Sequence, residues 1–253
     1  MLFSCFLLLF ALDFLSAGRV PQPEERIIGG SSIEIEEAPW QVSLQYQGRH
    51  YCGGSIYSRD IIITAAHCRF MQGRRLEAED FEIRVGSALS GSGGKLIKVA
   101  AIKSWEPYVN NSATGDIAVM RLSEPLEFNN KVQTIPLAEK NPAAGSPAFL
   151  SGWGATTEPY FMNYMYPSDL QGIRLQIYLP IFAEKLFPSL QNVVYAGSFG
   201  QTSCSGDSGG PLVVNQQLVG VVSGGPQYCD GYSEFASVPY FRDWILNAIK
   251  SLS

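Results

Sequence analysis

The sequence predicts an all-β fold followed by one C-terminal helix, and three observations carry that prediction. Short runs alternate between apolar and polar residues, as in Gln41–Tyr46, which is the period of a half-buried strand. Turn residues such as Gly48 separate these runs. No helical period of useful length occurs before Val238. Many short strands with frequent turns indicate an antiparallel β-sandwich or β-barrel, and the residues alone leave that choice open.

The predicted strands follow one another in two groups, without an internal repeat. The first group lies at residues 41–46, 50–56, 61–64, 81–85, 96–102 and 117–122. Residues 129–145 are loop-rich and connect the two halves. The second group begins at Phe149 and continues at residues 175–179, 212–214 and 218–222. Residues 238–250 place apolar side chains at helical spacing, so we expect an amphipathic helix that packs on the body of the protein.

Composition indicates a globular protein with no affinity for nucleic acid. The chain has 253 residues, of which 46% are hydrophobic and 16% charged, and its net charge is −5. This balance is typical of a folded domain rather than of a disordered chain. No run of basic residues is present, which argues against a nucleic-acid partner.

The N-terminus has the pattern of a secretory signal peptide. Residues 2–15 are almost entirely apolar, with Asp13 the one charged residue, and the small residues 16–18 follow. The segment is too short for a stable membrane anchor, which is the weaker alternative. We therefore expect a signal peptide at residues 1–18 and a secreted, extracellular product. No later stretch is long and apolar enough to span a membrane.

A processing site follows the signal segment. Residues 19–26 are polar and rich in proline, and they end in Arg26, which precedes Ile27 and the sequence Ile-Gly-Gly. Cleavage after Arg26 would give Ile27 a free α-amino group with a pKa of about 7.7–8.0, which could pair with a buried carboxylate. An ordinary linker with a chance arginine is the alternative.

Four cysteines remain after the signal segment: Cys52, Cys68, Cys204 and Cys229. An even number in a secreted chain indicates two disulfides, and the local pairings 52–68 and 204–229 are the simplest of the three possible. Zinc ligation is the alternative, but no Cys-x-x-Cys pair supports it. We predict no metal site and no cofactor.

A glycine-rich stretch at residues 202–211 surrounds an adjacent Asp207 and Ser208. Glycines permit left-handed turns and a close approach of substrate to the backbone. The N–H groups of Gly206 and Ser208 could therefore converge on a developing oxyanion while Ser208 attacks. The stretch alone would equally fit a glycine-rich turn that happens to hold a serine.

Three motifs stand in order along the chain: TAAHC at 64–68, GDIA at 115–118 and GDSGGP at 206–211. With IIGG at 27–30 and SGWG at 151–154, this ordered set resembles the trypsin/chymotrypsin family of serine proteases from residue 27 to the C-terminal helix. The resemblance implies two antiparallel six-stranded β-barrels with the cleft between them. We expect them at residues 27–134 and 135–253, the latter including the helix.

The resemblance also assigns the chemistry. Ser208 is the nucleophile, His67 the general base, and Asp116 the carboxylate that fixes the imidazole tautomer. Asp207 is expected to bind the amino group of Ile27 after cleavage at Arg26, so that charge pairing switches on a zymogen. The other histidine of the chain, His50, matches a structural residue of the family.

Specificity is predicted from the position six residues before the nucleophile. Trypsin-like members carry aspartate there, whereas this chain has Thr202. With Ser223 and Gly225 as pocket walls, we expect an apolar or aromatic residue at P1, as in chymotrypsin-like members. Asp230 or Glu234 could enter the pocket and restore a preference for basic residues.

Three departures from the family pattern stand out. Gly224 replaces the usual tryptophan and so removes an aromatic wall beside the substrate backbone. The disulfide that usually flanks the pocket from the other side is missing, and residues 160–200 are altered. A glycosylation sequon begins at Asn110.

These observations predict a monomeric secreted endopeptidase that acts on proteins or peptides. Its partners would include an activating protease and protein inhibitors. A catalytically silent homologue that binds proteins is the alternative, although the three catalytic positions are intact. Labelling with a serine-reactive phosphonate distinguishes the two. An adhesion or lectin domain would leave the three motifs unexplained.

Overall fold

The computed structural model describes residues 28–106, 108, 114–156, 165–178 and 191–252. The predicted signal segment, the cleavage site at Arg26, Ile27 and the sequon at Asn110 lie outside these residues. Among the described helices, none combines the length and apolar character needed to cross a membrane.

The first half of the chain forms a closed antiparallel barrel of six strands in the order β2-β3-β4-β9-β8-β7. The strands are β2 (Gln41–Tyr46), β3 (Arg49–Ile56), β4 (Ile61–Thr64), β7 (Phe81–Val85), β8 (Lys95–Ser104) and β9 (Ala118–Leu122). Their alternating apolar residues fill the interior, where Leu44, Ile62 and Ile83 are fully buried. A short hairpin, β5 (Phe70–Met71) with β6 (Arg74–Arg75), leaves the barrel after β4.

The second half forms another six-stranded ring in the order β11-β10-β13-β14-β15-β12, which closes because β12 also pairs with β11. The strands are β10 (Pro147–Gly152), β11 (Gln171–Tyr178), β12 (Val193–Gly197), β13 (Pro211–Val214), β14 (Gln217–Gly224) and β15 (Tyr232–Ser237). An N-terminal strand, β1 (Ser31–Ser32), adds to β11. The prediction of two six-stranded barrels is therefore confirmed, and the sandwich alternative is excluded.

The helix α1 (Val238–Leu252) confirms the predicted C-terminal helix. It buries Phe241 and Ile245 in the same apolar cluster as the first barrel. Trp105 meets Phe241 edge-on, with ring centroids 5.4 Å apart. Full burial of one such side chain is worth about 1.5–3 kcal/mol. The end of the chain therefore ties the second barrel back to the first.

Two full-length strands of the second barrel, β12 and β15, were not predicted from the sequence. In β15 the buried position 233 is a serine, which breaks the apolar alternation that identifies a strand. In β12 two adjacent valines, Val193 and Val194, are both buried, so a five-residue run shows no period of two.

Candidate active site

His67 and Asp116 meet at one end of the first barrel. Register pairs Thr64, the last residue of β4, with Ala118, the first residue of β9. His67 follows that pair by three residues and Asp116 precedes it by two, so both leave the barrel at the same edge. The hydrogen-bonded pairing of β4 with β9 therefore brings the two side chains close together.

The carboxylate of Asp116 is 1% exposed and is held by three donors. Its Oδ2 lies 2.6 Å from Nδ1 of His67, and its Oδ1 accepts the backbone N–H of the same residue at 2.8 Å. The hydroxyl of Ser223, on β14 of the other barrel, also donates to Oδ2, at 2.6 Å. A carboxylate at Nδ1 assigns the ring proton to that nitrogen and leaves Nε2 as a base.

Both predicted disulfides are present. Cys52–Cys68 joins β3 to the turn that carries His67, and Cys204–Cys229 joins the two sides of the pocket. Their Cα atoms are 6.3 Å and 5.3 Å apart, within the usual range. The four sulfurs are thereby committed, which removes the zinc alternative.

The loop that carries Ser208 is anchored to both barrels. The Ser208 carbonyl accepts the N–H of Gly53 on β3 at 2.7 Å. Gly209 donates to Val222 of β14 at 2.8 Å, and Val222 donates to Gly210 at 3.0 Å. Gly209 has φ of +77° and packs against the end of β4, so a side chain there would be strained and would clash.

The amide groups around Ser208 are oriented by buried partners. The Gly206 carbonyl accepts Nε2 of His50 at 3.0 Å, while Ser43 bonds the other ring nitrogen at 2.8 Å. Burial lowers the pKa of His50 and so favours its neutral form. Within the described chain, the N–H groups of Gly206 and Ser208 donate to no protein acceptor.

Asp207 is fully buried beneath the same loop. It accepts the N–H groups of Gly154 at 2.8 Å and Cys204 at 3.0 Å. Burial raises the pKa of this carboxyl from 3.8 to about 6, although the two hydrogen bonds oppose the shift. The predicted partner, Ile27, lies outside the described residues.

A cavity of about 190 Å³ opens beside Ser208. Its lining combines loop and strand residues and contains no carboxylate: Ser203, Cys204, Ser205, Ser208, Val222, Gly224, Gly225, Pro226, Gln227 and Cys229. Of the predicted pocket residues, Gly225 is on this wall. Ser223 instead turns its hydroxyl to Asp116, and Thr202 is buried behind the cavity.

Ser233 was not predicted as a site residue, yet it bonds the cavity residue Ser203, and its Oγ would lie 3.8 Å from a Cβ on Gly225. Its Oγ lies 2.6 Å from the hydroxyl of Thr202 and accepts both the hydroxyl and the N–H of Ser203, at 2.8 Å and 2.9 Å. Thr202, Ser203 and Ser233 thus form a neutral cluster of hydroxyl groups, of which Ser203 lines the cavity. The signal was the position of Ser233 shortly after Cys229, but its strand was not predicted.

Comparisons with known proteins agree with this architecture. The Trypsin family model matches residues 27–245. Trypsin alpha of Drosophila erecta is 40% identical over 93% of this chain and 92% of its own length. Hypodermin-A of Hypoderma lineatum is also 40% identical, with the same coverage. Among solved structures, neuropsin, a serine protease expressed in the limbic system of mouse brain, superimposes with a TM-score of 0.76 at 28% identity. That match covers 87% of this chain and 98% of neuropsin.

Proposed function

Because the chain belongs to the trypsin family and is a serine-type endopeptidase, we propose that Ser208, His67 and Asp116 form its catalytic triad. The observation that carries the proposal is the 2.6 Å contact between His67 Nδ1 and the buried Asp116. With the carboxylate at Nδ1, Nε2 is the ring nitrogen left to accept a proton, which a general base requires.

The proposed reaction proceeds through an acyl-enzyme. Ser208 Oγ attacks the scissile carbonyl carbon and its proton passes to Nε2 of His67. The imidazolium, stabilised by Asp116, then protonates the leaving amine as the C–N bond breaks. Water attacks the resulting ester with His67 again as base, which releases the acid product and restores Ser208.

Two backbone N–H groups would stabilise the oxyanion. Those of Gly206 and Ser208 make no hydrogen bond within the described chain, and His50 holds the neighbouring Gly206 carbonyl in place. Donors fixed before reaction need no reorganisation as charge develops on the carbonyl oxygen. One such donor is typically worth about 10²–10³-fold in kcat.

Activation would follow cleavage after Arg26 by another protease. Burial disfavours the charged form of Asp207, and a cation beside it would restore that form. The new α-amino group of Ile27 would supply the cation and fix the loop that carries Gly206. The apolar N-terminal segment 1–18 supports secretion, with protein inhibitors as further partners outside the cell.

We also propose a preference for an uncharged, apolar or aromatic P1 residue. The hydroxyl cluster of Thr202, Ser203 and Ser233 supplies no negative charge, and the cavity lining holds no carboxylate. A buried guanidinium or ammonium group would lack a counter-ion there, which is costly. Trypsin alpha and several other relatives are named trypsins, so a basic preference is the competing outcome.

The test is peptide hydrolysis before and after cleavage at Arg26, with peptides that differ only at P1. Activity should appear when mass spectrometry detects Ile27 as the N-terminus, and Phe or Leu should exceed Arg at P1. The matched variant Ser208→Ala should be processed identically and remain inactive. Hydrolysis by that variant would contradict the triad, whereas faster cleavage after Arg would contradict only the P1 proposal.

A further inference from the structure

Glu234 presents a carboxylate on the outer face of the second barrel, beside the cleft. It lies on β15 directly opposite Gly224 of β14, and opposite residues share a face of the sheet. A Cβ on Gly224 would lie 3.8 Å from Oε2 of Glu234 and would meet no other atom within 4 Å. The glycine therefore leaves the carboxylate uncovered from the cleft side.

No residue that the structure describes neutralises the charge of Glu234. It makes no hydrogen bond or ion pair with any part of the chain that the structure describes. On its other side stands Tyr195 of β12, whose hydroxyl has its pKa raised by burial and then by the charge of Glu234. A half-buried carboxylate beside an aromatic ring is a suitable partner for a cation.

The neighbouring residues extend this surface with tyrosines. Tyr178 of β11 is opposite Tyr195, and its ring stacks on that of Tyr232 with centroids 4.0 Å apart. Tyr195, Glu234 and Gly224 continue the same row across the sheet. The row ends at Gly224, and the next residue in the chain, Gly225, lines the cavity beside Ser208.

We propose that Glu234 binds a cationic side chain, lysine or arginine, of the substrate at P2 or P4. This rests on the proposed function and on the family resemblance, which puts Gly224 beside the backbone of an extended substrate whose P1 residue enters the cavity. Side chains of an extended chain alternate between faces, so P2 and P4 share the side that P1 does not use. Glu234 would then determine specificity without contacting the reacting atoms.

Gly224 and Glu234 would act together in this role. A tryptophan at position 224, as the family resemblance would lead one to expect, would cover the carboxylate and offer an apolar surface instead. With glycine, the cationic group can approach Oε2 while its aliphatic stem lies over the backbone.

The experiment uses the mature enzyme, whose active-site concentration is first measured by burst titration. Peptides with one fixed, favourable P1 residue carry arginine or its neutral isostere citrulline, at P2 in one series and at P4 in another. Arginine should raise kcat/KM about three- to tenfold over citrulline at one position, mainly through KM, and high salt should weaken the effect. In Glu234→Gln, kcat/KM should be the same for the arginine and citrulline peptides.

Two further variants make the result specific. Asp230→Asn removes a carboxylate from the same segment and should retain the preference for arginine over citrulline. Gly224→Trp should cover Glu234 and eliminate that preference. Equal rates for arginine and citrulline in titrated enzyme, or a ratio that persists in Glu234→Gln, would overturn this inference alone. Absence of any titratable enzyme would overturn the proposed function and this inference with it.

Discussion

The two barrels contribute to the site in different ways. In the first barrel, His67 and Asp116 lie within three residues of the paired Thr64 and Ala118, so the core ladder fixes their geometry. In the second barrel, the pocket is built from connecting segments around Cys229 and from side chains such as Ser233. There the chain departs most from the family pattern, beginning with Thr202 and Gly224.

This difference between the barrels shows which parts of the site the fold constrains. Moving His67 or Asp116 would require a shift of β4 against β9 in a close-packed core, which is costly. The side chains that line the cavity can change size and charge with little effect on the ladder. The proposed base and its carboxylate partner are therefore constrained by stability, while specificity is free to vary.

The largest expected effect comes from removing the proposed nucleophile or the proposed base, which belong to different barrels. Ser208→Ala and His67→Ala should each lower kcat by roughly 10⁶-fold, because nucleophile and base act as one unit. The double variant should be no worse than either single variant. Steady-state hydrolysis measures this, with thermal unfolding as the control for folding. Activity within tenfold of wild type in His67→Ala would contradict the assignment.

Asp207→Asn should fold and be cleaved after Arg26 but remain nearly inactive. Without the carboxylate, the Ile27 amino group has no buried partner, and the Gly206 amide would not be held for the oxyanion. We expect a loss of at least about 10²–10³-fold in kcat, the cost of one oxyanion donor. Near-normal hydrolysis by the cleaved variant, checked for its N-terminus by mass spectrometry, would refute the switch.

The same carboxyl should make the uncleaved chain pH-sensitive. A pKa that folding raises from 3.8 to about 6 means that the folded state retains the proton longer. Stability should therefore fall as pH rises from about 4 to about 6, by about 3 kcal/mol. Urea unfolding at several pH values should show this loss in the uncleaved wild type relative to uncleaved Asp207→Asn. Parallel pH profiles for the two proteins would contradict it.

Thr202→Asp should sharpen the comparison by changing only the second barrel. A carboxylate near Ser203 and Ser233 gives a basic P1 side chain a counter-ion, so the Arg-to-Phe ratio of kcat/KM should rise by about 10²-fold. Thr202→Asn, similar in size but neutral, is the matched control. An unchanged ratio in both variants would place the determinant elsewhere.

The smallest effect concerns the hydrogen bond from Ser223 that joins Asp116 to the second barrel. Ser223→Ala removes the 2.6 Å bond and should lower kcat by about tenfold, consistent with a bond to a charged group worth about 1.5–3 kcal/mol. The pH dependence of kcat should shift as well, which simple loss of packing would not cause. Ser223→Thr, which keeps a hydroxyl, should restore much of the activity.

Local sequence patterns predicted more of the first barrel than of the second. Alternation identified strands such as Gln41–Tyr46 and Phe81–Val85 because one of their faces is apolar, although Gln41–Tyr46, expected to be half-buried, buries its polar face as well. It missed β15, where the buried Ser233 bonds Thr202 and Ser203. A polar residue on the buried face removes the signal on which strand prediction depends.

Long-range contacts were beyond local patterns. The pairing of His67 with Asp116 was expected only through the family resemblance, since 49 residues separate them. Strand register places Ser223 next to Asp116. It also places Glu234 opposite Gly224, which leaves the carboxylate uncovered. Register across a closed barrel is a property of the whole ring, and no single segment encodes it.

The most direct test of the central claim is covalent labelling of Ser208 by a fluorophosphonate, followed by peptide mapping. We predict one adduct, on Ser208, in the chain cleaved after Arg26. Labelling should be slowed by orders of magnitude in His67→Ala and in the uncleaved chain. A folded, cleaved protein that gains no adduct, or gains it on another serine at the same rate with and without His67, would contradict the convergence of the two barrels on one active site.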